Sequence, residues 1–200
     1  MPELYFESPL VNVESPQGLA TGLREISDRG MIDLRGLTTD RKFLAAAKDV
    51  LGCDLPKKPR TSISWGDSKI LWLSTDQWLI LCPRARVSEL AGALRQALGN
   101  IHSLAVDVSD MRCVIRLEGE GAAEILMKGC SLDLLGGDYV TGTVRRMRFA
   151  EIAALLHAVD NDVFDIYVLR SYAAYAWEFL LATAREPAKI RLFGKQAAPV

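Results

Sequence analysis

The sequence predicts an α+β fold made of two copies of one β-α-β-β-α plan, and three observations carry that expectation. In each half the order of apolar patterns is strand, helix, turn-linked strands, then an arginine and a second helix. Ile32, Leu34 and Gly36 stand opposite Ile115, Leu117 and Gly119, 83 positions further on. Asp76, Trp78 and Arg84 stand opposite Asp162, Phe164 and Arg170 at an offset of 86, so three extra residues in the loops of the second half reconcile the two registers. Strands joined by tight turns pair antiparallel and amphipathic helices cover one face of each sheet, which describes two ferredoxin-like halves.

Taken in order, residues 1–29 are rich in Pro, Ser, Gly and Glu and read as an extended N-terminal arm with a short helical piece near Leu19 to Ile26. The first strand follows Gly30, with Ile32 and Leu34 in a two-residue period and Gly36 at its end. A helix capped by Thr38 or Thr39 then carries Phe43, Leu44, Ala47, Val50 and Leu51 on one stripe, and Gly52 stops it. Cys53 to Ser68 has the composition of a loop. KILWLSTDQWLIL reads as a hairpin, and Leu90, Ala91, Leu94, Ala97 and Leu98 mark a second helix up to Gly99.

The second half repeats this with strands on either side of Ser109-Asp110, a helix over Gly119 to Lys128, one or two strands up to Ala158, and a tight turn at Asp160-Asn161-Asp162. A strand from Val163 to Leu169 and a helix capped by Ser171 complete it. One domain is therefore expected over 30–185, with halves of about 30–100 and 101–185, followed by a loosely held tail over 186–200.

At 200 residues, 50% of them hydrophobic, the chain can bury a core without a disulfide or metal staple. Its 24 basic and 25 acidic residues nearly cancel, which excludes a global field for nucleic acid or an anionic membrane. Cys53, Cys82, Cys113 and Cys130 lie far apart, with no C-x-x-C pair and no histidine at metal-ligand spacing, and read as reduced buried thiols. The acidic, proline-broken start lacks the pattern of a secretory signal, and no run reaches the ~18 apolar residues of a membrane span, so a cytoplasmic location is expected.

No catalytic centre is predicted. His102 and His157 are the only imidazoles; the first lies in a turn, and the second sits among Ala154, Leu155, Leu156 and Ala158 as a packed strand residue. Asp107 with Asp110, and Asp160 with Asp162, read as strand-end and turn carboxylates rather than acid/base pairs. The glycine strings lack the spacing that cradles phosphate, and Glu120 between Gly119 and Gly121 repels an anion. Two features point outward: Trp65, a tryptophan among polar loop residues, and the run Arg145, Arg146, Arg148 on a strand, together a candidate partner surface.

Three strings occur in the right order over roughly residues 30 to 183: LWLSTDQWLIL, DVSDMRCVIRLEGEGAAEILMKGCSLDL and VFDIYVLRSYAAYAWEFL. With their Asp-x-Trp hairpin, Asp-Val-Ser-Asp turn, Gly-Cys-x-Leu-Asp-Leu segment and Arg-Ser-Tyr helix start, they resemble the gamma subunit family of heterotetrameric sarcosine oxidase. That family is similar in fold to the folate-binding domain of aminomethyltransferases. The resemblance implies a non-catalytic subunit with a structural or assembly role, in a complex that demethylates sarcosine to glycine and passes the one-carbon unit to tetrahydrofolate. It implies alpha, beta and delta subunits as partners, with FAD, FMN, NAD, zinc and tetrahydrofolate held by them and none by this chain. An isolated chain would be open to self-association.

The aspartate pair that aminomethyltransferases carry before the hairpin is absent; Asp67 stands alone beside Lys69, and the proline expected near Glu120 is missing. The rival reading is a stand-alone folate-binding, aminomethyltransferase-like protein, for which only Asp67 or Asp107 offers a carboxylate.

Overall fold

A computed structural model describes residues 6–185 except Ser15, Gln17 and Asp138, so the expected tail over 186–200 and the first five residues of the arm lie outside the described residues. The elements are β1 (Gly22–Glu25), β2 (Gly30–Arg35), α1 (Arg41–Leu51), β3 (Ser62–Trp65), β4 (Ser68–Ser74), β5 (Gln77–Cys82) and α2 (Val87–Leu98). After them come β6 (Leu104–Asp107), β7 (Arg112–Glu118), α3 (Ala122–Met127), β8 (Val144–Phe149), β9 (Ile152–Asp160), β10 (Val163–Leu169) and α4 (Ala173–Ala184). The fold is α+β, with two five-stranded antiparallel sheets ordered β3-β4-β5-β2-β6 and β8-β9-β10-β7-β1.

The expected β-α-β-β-α plan is short by one strand per half. The stretch read as a loop contains β3, whose Ile63/Trp65 alternation is too brief to stand out, hairpinned to β4 through Gly66-Asp67. β8 and β9, read as one or two strands, are separate, because the chain reverses at Ala150 with φ +47°, a turn without the glycine or asparagine that usually signals one. The piece read as helical near Leu19 to Ile26 contains strand β1, whose four residues pair with β7. Pairing across the sheet outweighs weak local propensity there.

Helix starts also differ from expectation. Asp40, not a threonine, caps α1: its Oδ1 accepts from the amides of Lys42 (2.8 Å) and Phe43 (3.3 Å). Gly52 does end the helix, at φ +71°, its N–H bonded to the Lys48 carbonyl. Ser171 lies inside a single 3-10 turn, Arg170–Tyr172, and α4 follows it without a side-chain cap.

The leading strands cross over. β1 precedes β2 in the chain but pairs with β7, while β6 precedes β7 but pairs with β2. The crossings are held alike: the Ile26 N–H donates to the Val114 carbonyl (2.9 Å) and the Val108 N–H to the Met31 carbonyl (2.8 Å). The strands on either side of Ser109-Asp110 therefore do not pair with each other, as a hairpin would.

Helices α1 and α2 cover the outer face of the first sheet, where Ile32, Leu34, Trp78 and Ile80 meet Phe43, Ala47, Leu51 and Leu94. Helices α3 and α4 cover the other outer face over Ile115, Leu117, Ile166 and Val168. Between the sheets, Met31, Leu71, Leu79 and Leu81 pack on Val114, Val144, Leu155 and Tyr167. The result is a four-layer α/β/β/α stack. The sheets are stitched at one corner by a Thr61–Thr143 bridge, with Ser62 donating to Gly142 and Val144 to Arg60, each at 2.9 Å.

Candidate functional site: the inner polar layer and the strand edges

Alternation along each strand decides what reaches the space between the sheets. Because Ile32 and Leu34 point to the helices, Asp33 points inward. By the same parity Lys69, Gln77, Arg112, Arg116, Arg146, His157, Asp165 and Tyr167 line the inner layer. Arg116 and Asp165 face each other across β7 and β10 in a forked pair, Nε–Oδ1 2.6 Å and Nη2–Oδ2 2.9 Å. The two side chains are 18% and 3% exposed.

His157, opposite Asp165 on β9, is 1% exposed. Its Nε2 lies 3.1 Å from the Ser62 Oγ, whose own hydrogen goes to the Gly142 carbonyl at 3.0 Å. With that hydrogen committed, the hydroxyl accepts from an Nε2–H, and Nδ1 is left as a buried acceptor without a partner among the described residues. Burial, with the Lys69 charge as the second cause, pushes the imidazole down to about 4, so it is neutral at pH 7. Burial lowers Lys69 as well and raises the Tyr167 phenol. Towards the other end of the layer, Gln77 Nε2 donates to both Asp33 oxygens (2.8 and 3.0 Å), while its Oε1 accepts from Arg146 Nη2 at 2.6 Å.

The carboxylates weighed in the sequence are engaged locally. Asp107 accepts from the amide and hydroxyl of Ser109 (2.9 and 2.5 Å), and Ser109 Oγ accepts from the Met31 amide at 2.9 Å, which fastens the β6 crossing. Asp110 pairs with Arg84, and Asp67 with Arg86 at 3.0 Å. His102 is exposed and stands apart from them, beside a hollow of about 360 Å³ lined by Arg35, Leu37 and Leu104. Among the described residues, no three His, Cys, Asp or Glu side chains gather where a metal ion could sit, so no donor set for zinc is formed there. The thiols are unpaired and burial raises all four.

The four residues proposed as a partner surface are not brought together. Trp65 is half-buried in β3 and packs on the helix-side core, because the strand missed in the sequence turns its ring towards the helices. Arg145, Arg146 and Arg148 do lie on one strand and split between its faces as the period requires. Arg148 pairs with Glu151 and donates to the Ala150 carbonyl at 2.8 Å. Since the Thr61–Thr143 bridge is antiparallel, β3 and β8 lead away from it in opposite directions.

Sequence reading missed a different surface: Leu37, Leu104 and Val106, 57%, 40% and 38% exposed, at and beside the edge strand β6. The Leu104/Val106 alternation is visible in the sequence. That it faces solvent depends on where the second sheet stops.

The model of the sarcosine oxidase, gamma subunit family matches residues 35–186. The sarcosine oxidase subunit gamma of Arthrobacter sp is 34% identical over 124 residues, spanning 59% of this chain and 59% of that one. The corresponding subunit of Corynebacterium sp. (strain U-96) is 28% identical over 172 residues, 84% of this chain and 80% of that one. Among solved structures, a chain of heterotetrameric sarcosine oxidase from Corynebacterium sp. U-96, in complex with pyrrole 2-carboxylate, superposes with a TM-score of 0.83 at 24% identity, covering 92% of this chain and 97% of that one. The glycine cleavage system aminomethyltransferase T of Bartonella henselae gives 0.61 at 16% identity, covering 82% of this chain and 46% of that one. At these identities the two structures show a shared fold.

Proposed function

Because the chain belongs to the sarcosine oxidase gamma subunit family, we propose that it is the non-catalytic gamma subunit of a heterotetrameric complex that demethylates sarcosine to glycine and delivers the one-carbon unit to tetrahydrofolate. The family match over residues 35–186 carries this reading. In it, alpha, beta and delta subunits are the partners, and FAD, FMN, NAD, zinc and tetrahydrofolate sit on them in the cytoplasm. The role of this chain is structural. The engagement of Asp67, Asp107 and Asp110 in local pairs supports that role, as do the exposed apolar side chains beside β6.

The proposed contact residues are Arg145, Arg146 and Arg148 on the edge strand β8 and the accessible part of Trp65. The reading includes a duplicated ferredoxin-like unit as the origin of the two sheets, supported by their matching strand orders and mirrored crossings. It takes 30–185 as the body of that unit, 1–29 as an arm that lends β1 to it, and 186–200 as a tail.

Co-expression with the candidate alpha, beta and delta subunits tests the proposal. A stoichiometric complex that loses this chain when Arg145 and Arg148 are both replaced by Glu is the expected result; a chain that never joins the others overturns it. The aminomethyltransferase-like fold favours one rival, a stand-alone folate-binding protein. Calorimetry of the isolated chain with tetrahydrofolate should give no heat, and saturable heat would establish the rival instead.

A further inference from the structure

Several buried donors in and beside the inner layer meet no acceptor. Among the described residues, Arg29 Nε, Arg112 Nε and the Tyr167 hydroxyl are buried and donate to nothing. Arg112 is the most exacting of the three, since a guanidinium carries five donors and cannot shed its charge. The charges that act on it most are Arg146, of like sign, and Asp33, which already accepts two hydrogen bonds from Gln77. A half-buried cation in that position costs the fold stability, and an apolar residue of similar length would serve packing better.

What lies beside it gives the arginine a use. Between the sheets, at the β8–β9 side, there is a cavity of about 280 Å³ whose walls are Leu73, Ala153, Leu155 and Leu169, with Arg112 and Arg146 as its charged lining residues. That volume is just under the ~300–1,000 Å³ typical of small-ligand sites, and apolar walls with a few converging polar groups are their usual make-up.

We propose that this cavity binds a small organic carboxylic acid as its anion: the carboxylate accepts from the Arg112 fork, with Arg146 beside it, and an apolar body rests on Leu73, Ala153, Leu155 and Leu169. A carboxylate supplies the acceptor that Arg112 lacks, and a guanidinium matches it with two parallel N–H···O bonds. An inorganic anion would leave the four apolar walls without contact. The inference does not depend on the subunit reading, and it stands or falls separately from co-purification.

Titration of the full chain with benzoate, followed by calorimetry and by melting temperature, tests it. Benzyl alcohol controls for the apolar body and inorganic phosphate for the charge. Saturable benzoate binding that raises the melting temperature is expected, with neither control competing. Arg112→Met should weaken it at least about tenfold, the loss of one charge-assisted fork. The same variant, without ligand, should melt no lower than the parent. Ala153→Trp, placed at an exposed lining position, should abolish binding by filling the cavity, and it keeps the test decisive should the Arg112 variant fold poorly. No saturable binding of benzoate at millimolar concentration, equal binding by Arg112→Met, or equal binding of benzyl alcohol or phosphate would each overturn the proposal.

Discussion

On the outer face of the first sheet Ile32, Leu34, Trp78 and Ile80 meet Phe43, Ala47, Leu51 and Leu94, all apolar and none more than 2% exposed. Turned over, the same three-strand core contributes Met31, Leu71, Leu79 and Leu81, but with Asp33, Lys69 and Gln77 among them. The outer contact asks only for apolar volume under amphipathic helices. The inner contact joins two sheets that could slide or rotate, and it uses directional groups such as the Arg116–Asp165 fork and the His157–Ser62 link. The difference teaches that in this fold dry packing supplies cohesion, while the buried polar layer supplies orientation, at a desolvation cost.

Trp78→Ala should show the largest effect. The indole is fully buried, stacks on Phe43 at 5.9 Å and donates from Nε1 to the Pro56 carbonyl at 2.9 Å. Chemical denaturation should record a loss of roughly 3–5 kcal/mol. A smaller loss would mean the outer core collapses around the gap.

Asp165→Asn addresses the inner layer in the same assay. Breaking a buried pair on one side costs about 3–5 kcal/mol, and the lower end is expected because Arg116 keeps some access to water. The double variant Arg116→Leu/Asp165→Leu should recover most of that. If the double variant is as unstable as the single, the fork contributes net stability and the contrast between the faces is weaker than drawn.

The third expectation concerns pH. His157 titrates near 6.5 in the unfolded chain and at about 4 when folded, so the unfolded state binds the proton first. The contribution is complete above pH 6.5 and declines as pH falls from there towards 4. The loss is on the order of 3 kcal/mol at most. His157→Gln should flatten the stability profile in that window, and an unchanged profile would assign the acid sensitivity to other groups.

Arg148→Ala should do least. Its pair with Glu151 is exposed on both sides, and such pairs contribute at most about 1 kcal/mol. Unchanged stability with weakened subunit assembly would separate surface function from fold.

Legibility followed the same division. Alternation at Ile32/Leu34 and Ile115/Leu117, the stripe from Phe43 to Leu51 and the stop at Gly52 were readable because each depends on neighbours within a few residues. Strand β3 and the β8–β9 turn were not, since one four-residue alternation inside a Pro-, Lys- and Ser-rich stretch is too short to stand out and a turn at Ala150 carries no glycine signal. The halves of the inner layer were invisible as a unit: Arg116 and Asp165 are 49 residues apart, Gln77 and Arg146 69, and Ser62 and His157 95.

The sequence by itself determined the four helices and the longer strands, though not β1 or β3, and which face of each of those is apolar. Only the tertiary structure decided that β1 and β6 cross to the opposite sheets, that Trp65 packs under the helices, and that Arg112 meets a cavity. The physical reason is that a strand edge offers the same row of amides and carbonyls to any partner. Its choice is settled by contacts far away in the chain, which no local period encodes.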